Sequence, residues 1–367
     1  MIGFDCISAV QNSRGTVFAR MVPGLGEDIP GQFNWEDIQN MKTIVKMIAA
    51  GLVAGSALSA AAVVAQDYPT QPVTIVVPFS AGGPTDTVTR LVAAAMSEDL
   101  GQQVVVQNVG GAGGTLGAGQ VAAAANDGYT LLLHHIGMST APALYASLPY
   151  DPMTDFAPIG LVTEVPMTMV ARKDFEPATL KDLIAYVKEN GENVTYANAG
   201  IGAASQLCGL LFQDALETKL TEVPYQGTGP AMTDLLGGQI DMMCDQTTNT
   251  TSQIQAGEIK AYAVTTPERI AVLPDVPTMA EGGVENFNLS IWHGLYAPAG
   301  TDQAIIDRLT QSLQAALADE TVGNSFAELG TYPVPASEAT PDALAEKLEG
   351  QTALWAEVIA AAGVAAQ

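Results

Sequence analysis

An α/β fold of two lobes facing each other across a ligand cleft is the architecture this sequence predicts, on three observations. Strand-like and helix-like stretches alternate from residue 73 to residue 266. Two of the strand-to-helix handovers, "VTIVVPFSAGGPTDTVTRLVAAA" and "NVTYANAGIGAASQLCGLLFQDA", share one plan: an apolar strand, a small-residue loop with glycines, then a helix led by hydroxyl or carboxyl residues. The chain has 367 residues, and what remains after an N-terminal export segment is long enough for two domains.

That export segment is "MKTIVKMIAAGLVAGSALSAAAVVAQDYP", from Met41. Lys42 and Lys46 precede an apolar run, and Val63, Val64 and Ala65 supply small residues ahead of polar Gln66, the pattern of a signal peptide cleaved after Ala65. A transmembrane helix would fit the length, but the run is rich in Ala and Gly and meets a cleavage site at once. Residues 1–40 have no periodicity and lie upstream of a good start, so they read as an over-extended open reading frame. The mature protein is expected to begin at Gln66, and N-terminal sequencing of protein exported by a bacterial host should give Gln-Asp-Tyr-Pro. A stable product retaining Met1 would contradict this.

In the mature part, 73–79 reads as a strand, 85–101 as a helix, 103–109 as a strand, 114–126 as a helix and 129–135 as a strand. The Pro/Asp-rich passage 148–162 reads as a surface connection, followed by an extended 167–175 and a helix over 180–190. A second alternation follows: strands at 194–200, 220–227, 239–245 and 259–266, with helices at 203–216, 229–237 and 248–256. The chain is extended again at 287–297, and helices over 301–318, 320–329 and 341–361 complete it. The resulting division is 1–40 extension, 41–65 signal peptide, 66–170 first part of lobe 1, 171–288 lobe 2, and 289–367 the return to lobe 1.

Composition narrows the function. With 39 acidic and 14 basic residues the formal net charge is −25, a field that repels nucleic acid and anionic membrane surfaces. An anion would therefore have to be held by local geometry. In parallel sheets, ligands gather beyond the carboxyl ends of strands. Each glycine-bearing loop alone is explained by a tight turn, whereas two of them in one exported, two-lobed chain point to a ligand cleft.

From about Tyr68 to Gly363 the chain resembles the Bug family of extracytoplasmic solute receptors, the substrate-binding proteins of tripartite tricarboxylate transporters. The stretches that carry the resemblance are "PFSAGGPTD", "GAGGTLGA", "PALYASLPYDPMTDFAPI", "VPYQGTGPAMTDLLGGQIDMM", "AVTTPERIAVLPDVPTMAEGG" and "WHGLYAPAGT". The resemblance implies a two-lobed, Venus-flytrap, type II periplasmic binding fold. It also implies a periplasmic receptor, expected to be monomeric, that captures a small di- or tricarboxylate or aromatic carboxylate and presents it to membrane subunits. Ordered waters helping to hold the distal carboxylate are likewise implied by the resemblance.

The first loop, Phe79, Ser80, Ala81, Gly82 and Gly83, is expected to turn backbone N–H groups toward the ligand, with both glycines free to take φ > 0. The helix that follows adds the positive end of its dipole, so no arginine is needed. Arg90 stands at i+4 from Asp86, which suits an ion pair. Asp86 therefore reads as orienting the loop, with direct contact to a ligand hydroxyl, amine or water as the alternative. The second loop offers Asn198, Gly200, Ile201, Ala203 and Ser205. His135, Tyr225 and Asp245 stand at strand ends and line the cleft or pack beside it. His134 and His135 are expected on opposite faces of their strand, a poor metal pair. "GGAGGTLG" at 110–117 has the wrong spacing for a dinucleotide fingerprint, and neither a cofactor nor a metal is expected.

Two cysteines remain in the mature chain, Cys208 and Cys244, and in an exported protein they favour one disulfide. The alternative is a cofactor-independent racemase with one thiolate and one thiol. It is opposed by both cysteines falling in the same lobe, when acid and base should flank the substrate. A receptor that signals to a sensor uses the same closure, and no residue distinguishes it from a transporter receptor.

Overall fold

The computed structural model describes residues 68–361, with 363 and 366, and apart from these a pair of two-residue antiparallel strands, Val10–Gln11 and Val17–Phe18. The expected signal peptide and the cleavage site lie outside the described residues. The unit beginning at Asp67 is one compact body by its internal contacts.

Its first segment is β1 (Val73–Val77), α1 (Pro84–Leu100), β2 (Val104–Asn108), α2 (Thr115–Ala122), β3 (Thr130–His135), α3 (Gly137–Leu144) and β4 (Phe156–Arg172). The second is α4 (Leu180–Asn190), β5 (Thr195–Asn198), α5 (Ala204–Leu216), β6 (Thr221–Pro224), α6 (Thr228–Leu236), β7 (Met242–Gln246), α7 (Thr247–Gln255) and β8 (Ile259–Val264). The chain returns through β9 (Ser290–Pro298) and ends in α8 (Gln303–Leu317), α9 (Glu320–Glu328) and α10 (Pro341–Ala361).

The strands form one sheet in the order β2-β1-β3-β9-β4-β7-β5-β6, with β8 on the far part of β4. Its two halves are built alike. β1 pairs parallel with β2 and β3, and β5 pairs parallel with β6 and β7. Parallel neighbours need helical crossovers, and α1, α2, α5 and α6 supply them. The halves meet on β4: residues 156–166 pair antiparallel with β9, and 167–172 pair antiparallel with β7 and β8.

β4 corrects the sequence reading, because 156–162 is not surface connection but the start of a 17-residue strand with Ile159, Leu161 and Val162 buried. Its prolines disguise it. Pro158 lies opposite Tyr296, at a register shift between Leu295 and Tyr296, and Pro166 faces Ser290, the first residue of β9. Those are positions where a missing N–H is tolerated. α3 was not predicted either, since "GMSTAPAL" has turn-like composition, with Pro142 inside it.

α1 shows how the sequence fixes a cavity wall. Val88, Val92 and Met96 recur at four-residue spacing and are fully buried, and each such side chain contributes about 1.5–3 kcal/mol of burial. Pro84 at the first turn and Gly101 in the left-handed C-cap conformation set its ends. Its N-terminus is thereby held at the end of β1.

Candidate functional site

Four helices begin at the wall of one small cavity. α1 reaches it through Gly83, Pro84 and Thr85, α5 through Ala203, Ala204 and Ser205, α6 through Thr228, and α7 through Asp245 and Gln246. Phe79, His135 and Ala199 complete the lining, and neither lysine nor arginine is part of it. The first N–H groups of a helix have no acceptor within it, and together with the helix dipole they make a ready anion site.

The backbone assigns these amides individually, and the assignment revises the expected one. Ser80 donates its N–H to the Gln226 carbonyl at 3.0 Å, and Gly82 donates to Asp86 Oδ2 at 3.0 Å. Gly200 donates to Asn198 Oδ1, Gly202 to Gln206 Oε1, and Ala203 to the Gly200 carbonyl. The amides these bonds leave at the cavity wall belong to Gly83 and Thr85 of α1 and Ala204 and Ser205 of α5. Gly82 has φ +79, a conformation that favours glycine, whereas Gly83 is extended at φ −89 and ψ 177. Gly83 therefore does not use φ > 0. A β-carbon there would stand at ordinary contact, 3.4 Å from the Gly229 nitrogen and 3.6 Å from Thr228 Oγ1, so a single methyl fits and only a larger side chain would crowd the gap between the starts of α1 and α6.

Asp86 is buried and braces the first loop. Its Oδ2 accepts from Gly82 N–H and from Arg90 Nε at 2.9 Å, and its Oδ1 accepts from Asn108 Nδ2, which also donates to the Phe79 carbonyl. Burial pushes its pKa up, but the bonds from Arg90, Gly82 and Asn108 outweigh this and hold it below the usual carboxylate value. The Arg90 side chain is 53% exposed and turns away to Asp86 and Asn108. Arg90→Gln is therefore expected to change ligand affinity by less than about threefold, as for an exposed ion pair. Asp86→Ala, which frees the loop's Gly82 N–H and the Asn108 amide that braces it, should cost roughly tenfold. Titration calorimetry of the two variants separates them, and a larger loss from Arg90→Gln would overturn this assignment.

In the second loop Asn198 plays a similar bracing part, accepting from Gly200 and donating to Glu222 Oε2. Ser205 Oγ accepts from Ala199 N–H, which leaves its own O–H to donate. Tyr225 is turned elsewhere: its hydroxyl donates to Asp234 Oδ2 at 2.6 Å and it is not in the cavity lining.

The floor is made of neutral aromatic rings. His135 stacks on Phe79 with centroids 4.6 Å apart, and His134 and His293 pack edge-on beside it. Burial lowers the pKa of His134 and His293 to about 3 and that of His135 well below its ordinary value, so all three are uncharged. His135 Nδ1 accepts from Gly137 N–H, which places its proton on Nε2. The rings of His134 and His135 lie 4.9 Å apart and not on opposite faces, because β3 ends at His135 and the chain turns into α3, which breaks the alternation. No cluster suited to a metal occurs among the described residues.

Asp245 is buried without a Lys, Arg or His partner among the described residues. Burial raises its pKa to about 6, against the opposing bonds from Asn249, Gln246 and Thr228. Its Oδ2 accepts from Asn249 Nδ2 at 2.6 Å.

Around the cavity the two halves touch through backbone. A β-carbon on Gly113 would lie 1.8 Å from the Ile201 carbonyl oxygen, and one on Gly229 would lie 2.6 Å from the Ala81 carbonyl oxygen. The Tyr145 hydroxyl sits 2.7 Å from the Ala112 carbonyl and 2.9 Å from that of Ile201, and Thr140 Oγ1 donates to the Gly202 carbonyl at 2.9 Å. These contacts, with Ser80 on Gln226, join loops that follow β1, β2 and β3 to loops that follow β5 and β6.

Of the predicted residues, Phe79, Gly83, His135, Ala203, Ser205 and Asp245 share the cavity wall, while Ser80, Ala81, Gly82, Asp86, Asn198, Gly200 and Ile201 shape or join the loops behind it. Sequence reasoning missed Pro84, Thr85, Ala199, Ala204, Thr228 and Gln246. The start of α6 after "YQGTG" repeats the strand, glycine, hydroxyl pattern, and that signal points to Thr228. Cys208 on α5 and Cys244 on β7 are bonded to each other, with Cα atoms 6.1 Å apart. Neither sulfur is a free thiol for acid–base chemistry.

A family model described as "Tripartite tricarboxylate transporter family receptor" matches residues 88–363. A protein of Agrobacterium vitis, described as "UPF0065 protein in the TAR-I ttuE-ttuC' intergenic region", is 59% identical over 300 residues, covering 82% of this chain and 87% of that protein. The solved periplasmic binding protein BugD superposes with a TM-score of 0.81 at 54% identity, covering 82% of this chain and all of that one. MatC of Rhodopseudomonas palustris, solved with bound malate, superposes with a TM-score of 0.77 at 41% identity, covering 80% of this chain and all of that one.

Proposed function

This chain belongs to the tripartite tricarboxylate transporter receptor family, and from that premise we propose that the cavity at the four helix starts holds a small dicarboxylate, which the receptor delivers to the membrane subunits of such a transporter. The protein is a periplasmic solute-binding receptor and not an enzyme. The observation that carries the reading is the convergence of α1, α5 and α6 on one cavity without a cation. Each carboxylate meets backbone N–H groups and the positive end of a helix dipole, so the acidic chain needs no guanidinium. MatC, solved with malate, is consistent with a ligand of this class. Residues 66–170 and 289–367 form one lobe and 171–288 the other, and the receptor acts as a monomer after cleavage behind Ala65.

The test begins with mass spectrometry of ligand carried through mild purification, followed by calorimetry with the acid identified. Gly83→Val leaves an allowed backbone at φ −89 but puts methyl groups between the starts of α1 and α6. Losing two charge-assisted bonds of roughly 1.5–3 kcal/mol each should weaken binding on the order of a hundredfold or more. Normal binding by Gly83→Val would remove the amide account of this site.

A further inference from the structure

Three helix starts turn amides to the cavity, and the fourth adds side-chain acceptors. At the start of α7, Asp245 and Gln246 both line the wall, with 1% and 2% of their surfaces exposed. The Asp245 carboxylate takes the Asn249 amide on Oδ2 and has no Lys, Arg or His partner among the described residues. Gln246 Oε1 is shut off from solvent and accepts no hydrogen bond among the described residues. A carboxylate bound in this cavity is one more acceptor beside them. When two carboxylates share a dry site without a cation, they do not both stay ionised, and one of them keeps a proton.

Resting on the carboxylate reading above, we propose that the receptor captures its ligand together with one proton, which is held on the Asp245 carboxyl. The proton comes from solvent and forms one O–H bond on Asp245, and no bond of the ligand changes. It supplies the donor that the start of α7 lacks. The neighbours leave Asp245 as the group that titrates. Thr168 of β4 lies opposite it, and Thr228 of α6 and Asn249 of α7 bond to it. Cys208 of α5 is held in its disulfide, and burial keeps Tyr196 of β5 and the three histidines of the floor uncharged. Asp86 of α1 is ionised and paired with Arg90, while Glu222 of β6 and Asp234 of α6 take Asn198 and Tyr225 as partners. Burial already lifts Asp245 to about 6, and an anion beside it lifts it further. The complex therefore binds more protons than the protein alone, so affinity is full below about pH 6 and falls as pH rises above it, roughly tenfold per unit.

Calorimetry in buffers of different ionisation enthalpy counts the protons taken up with each ligand. The probe is malate, with both carboxylates ionised above about pH 6.5, or the acid released by purified protein if malate does not bind. The native protein is expected to take up close to one proton at about pH 7.5 and to lose affinity roughly fiftyfold or more between about pH 6.5 and about pH 8.5. Asp245→Asn imitates the protonated acid. It is expected to take up no proton, to bind equally at both ends of that range, and to bind at least about tenfold more tightly than native protein at the upper end. A merely structural role for Asp245 gives no such gain. Proton uptake near zero in the native protein overturns the inference without any variant, as does an Asp245→Asn protein that still takes up a proton or binds no more tightly than native at the upper end. These outcomes leave the carboxylate reading standing. That reading fails separately, if malate binds at no pH and purified protein releases no carboxylate.

Discussion

Replacing Gly113 with valine is expected to lower affinity for the carboxylate ligand on the order of a thousandfold while each half of the sheet stays folded. Gly113 has φ +62, and its β-carbon would stand 1.8 Å from the Ile201 carbonyl oxygen, which belongs to the other half. That oxygen is backbone, so no rotamer change relieves the clash, and the halves must part. Micromolar binding is about −8 kcal/mol; if each wall supplies half, losing one costs about 4 kcal/mol, or roughly a thousandfold. Gly238→Val is the control. It has a similar φ of +69, but no atom lies within 4 Å of its β-carbon, so it carries the backbone strain without the clash. Calorimetry with the identified ligand, with small-angle scattering for the separation of the halves, reads both variants. Equal losses in the two would mean that backbone strain, not closure, is responsible.

The Cys208→Ser, Cys244→Ser double variant is expected to lose roughly 3–4 kcal/mol of unfolding free energy, the chain-entropy value for the 36-residue separation. Both side chains are fully buried, so the lost contacts add to this rather than offset it. The bond also ties α5 to β7. Ser205 lies one helical turn before Cys208, and Asp245 follows Cys244, so two parts of the cavity wall are fastened together at their base. Denaturant titration of native and variant protein, each with and without reductant, is the measurement. A native protein whose midpoint ignores reductant, with the thiols shown to be released, would contradict the assignment.

The alternation of periods made the βαβ halves legible because parallel strands are buried on both faces and their helices carry one apolar face, as the Val88, Val92 and Met96 series on α1 illustrates. The two glycine-bearing loops stood out only as a pair, since either one alone is explained by a tight turn between strand and helix. Three features escaped for identifiable reasons. The start of β4 was hidden by Pro158 and Pro166, which sit at a bulge and at a strand end. α3 was hidden by small and turn-favouring residues, its stability coming from burial of Met138, Ala141 and Leu144. Gln246 was invisible because it reaches the cavity wall at the start of α7, where no glycine marks a loop. The φ of Gly83 was misread because a glycine in extended backbone looks the same in sequence as one that takes φ > 0.

The three helix starts proposed to hold the anion have a consequence for the speed of capture. Dipoles of this kind act over about the first helical turn, whereas the excess of acidic over basic residues is felt out to the Debye length, about 8 Å at physiological ionic strength. An approaching dianion thus meets repulsion first and attraction only at the mouth of the cavity. Added salt screens the outer barrier and leaves the buried contacts untouched, so association accelerates with ionic strength while dissociation stays constant. A receptor that gripped its ligand with surface arginines would show the opposite slope. Here a saltier periplasm makes the encounter faster.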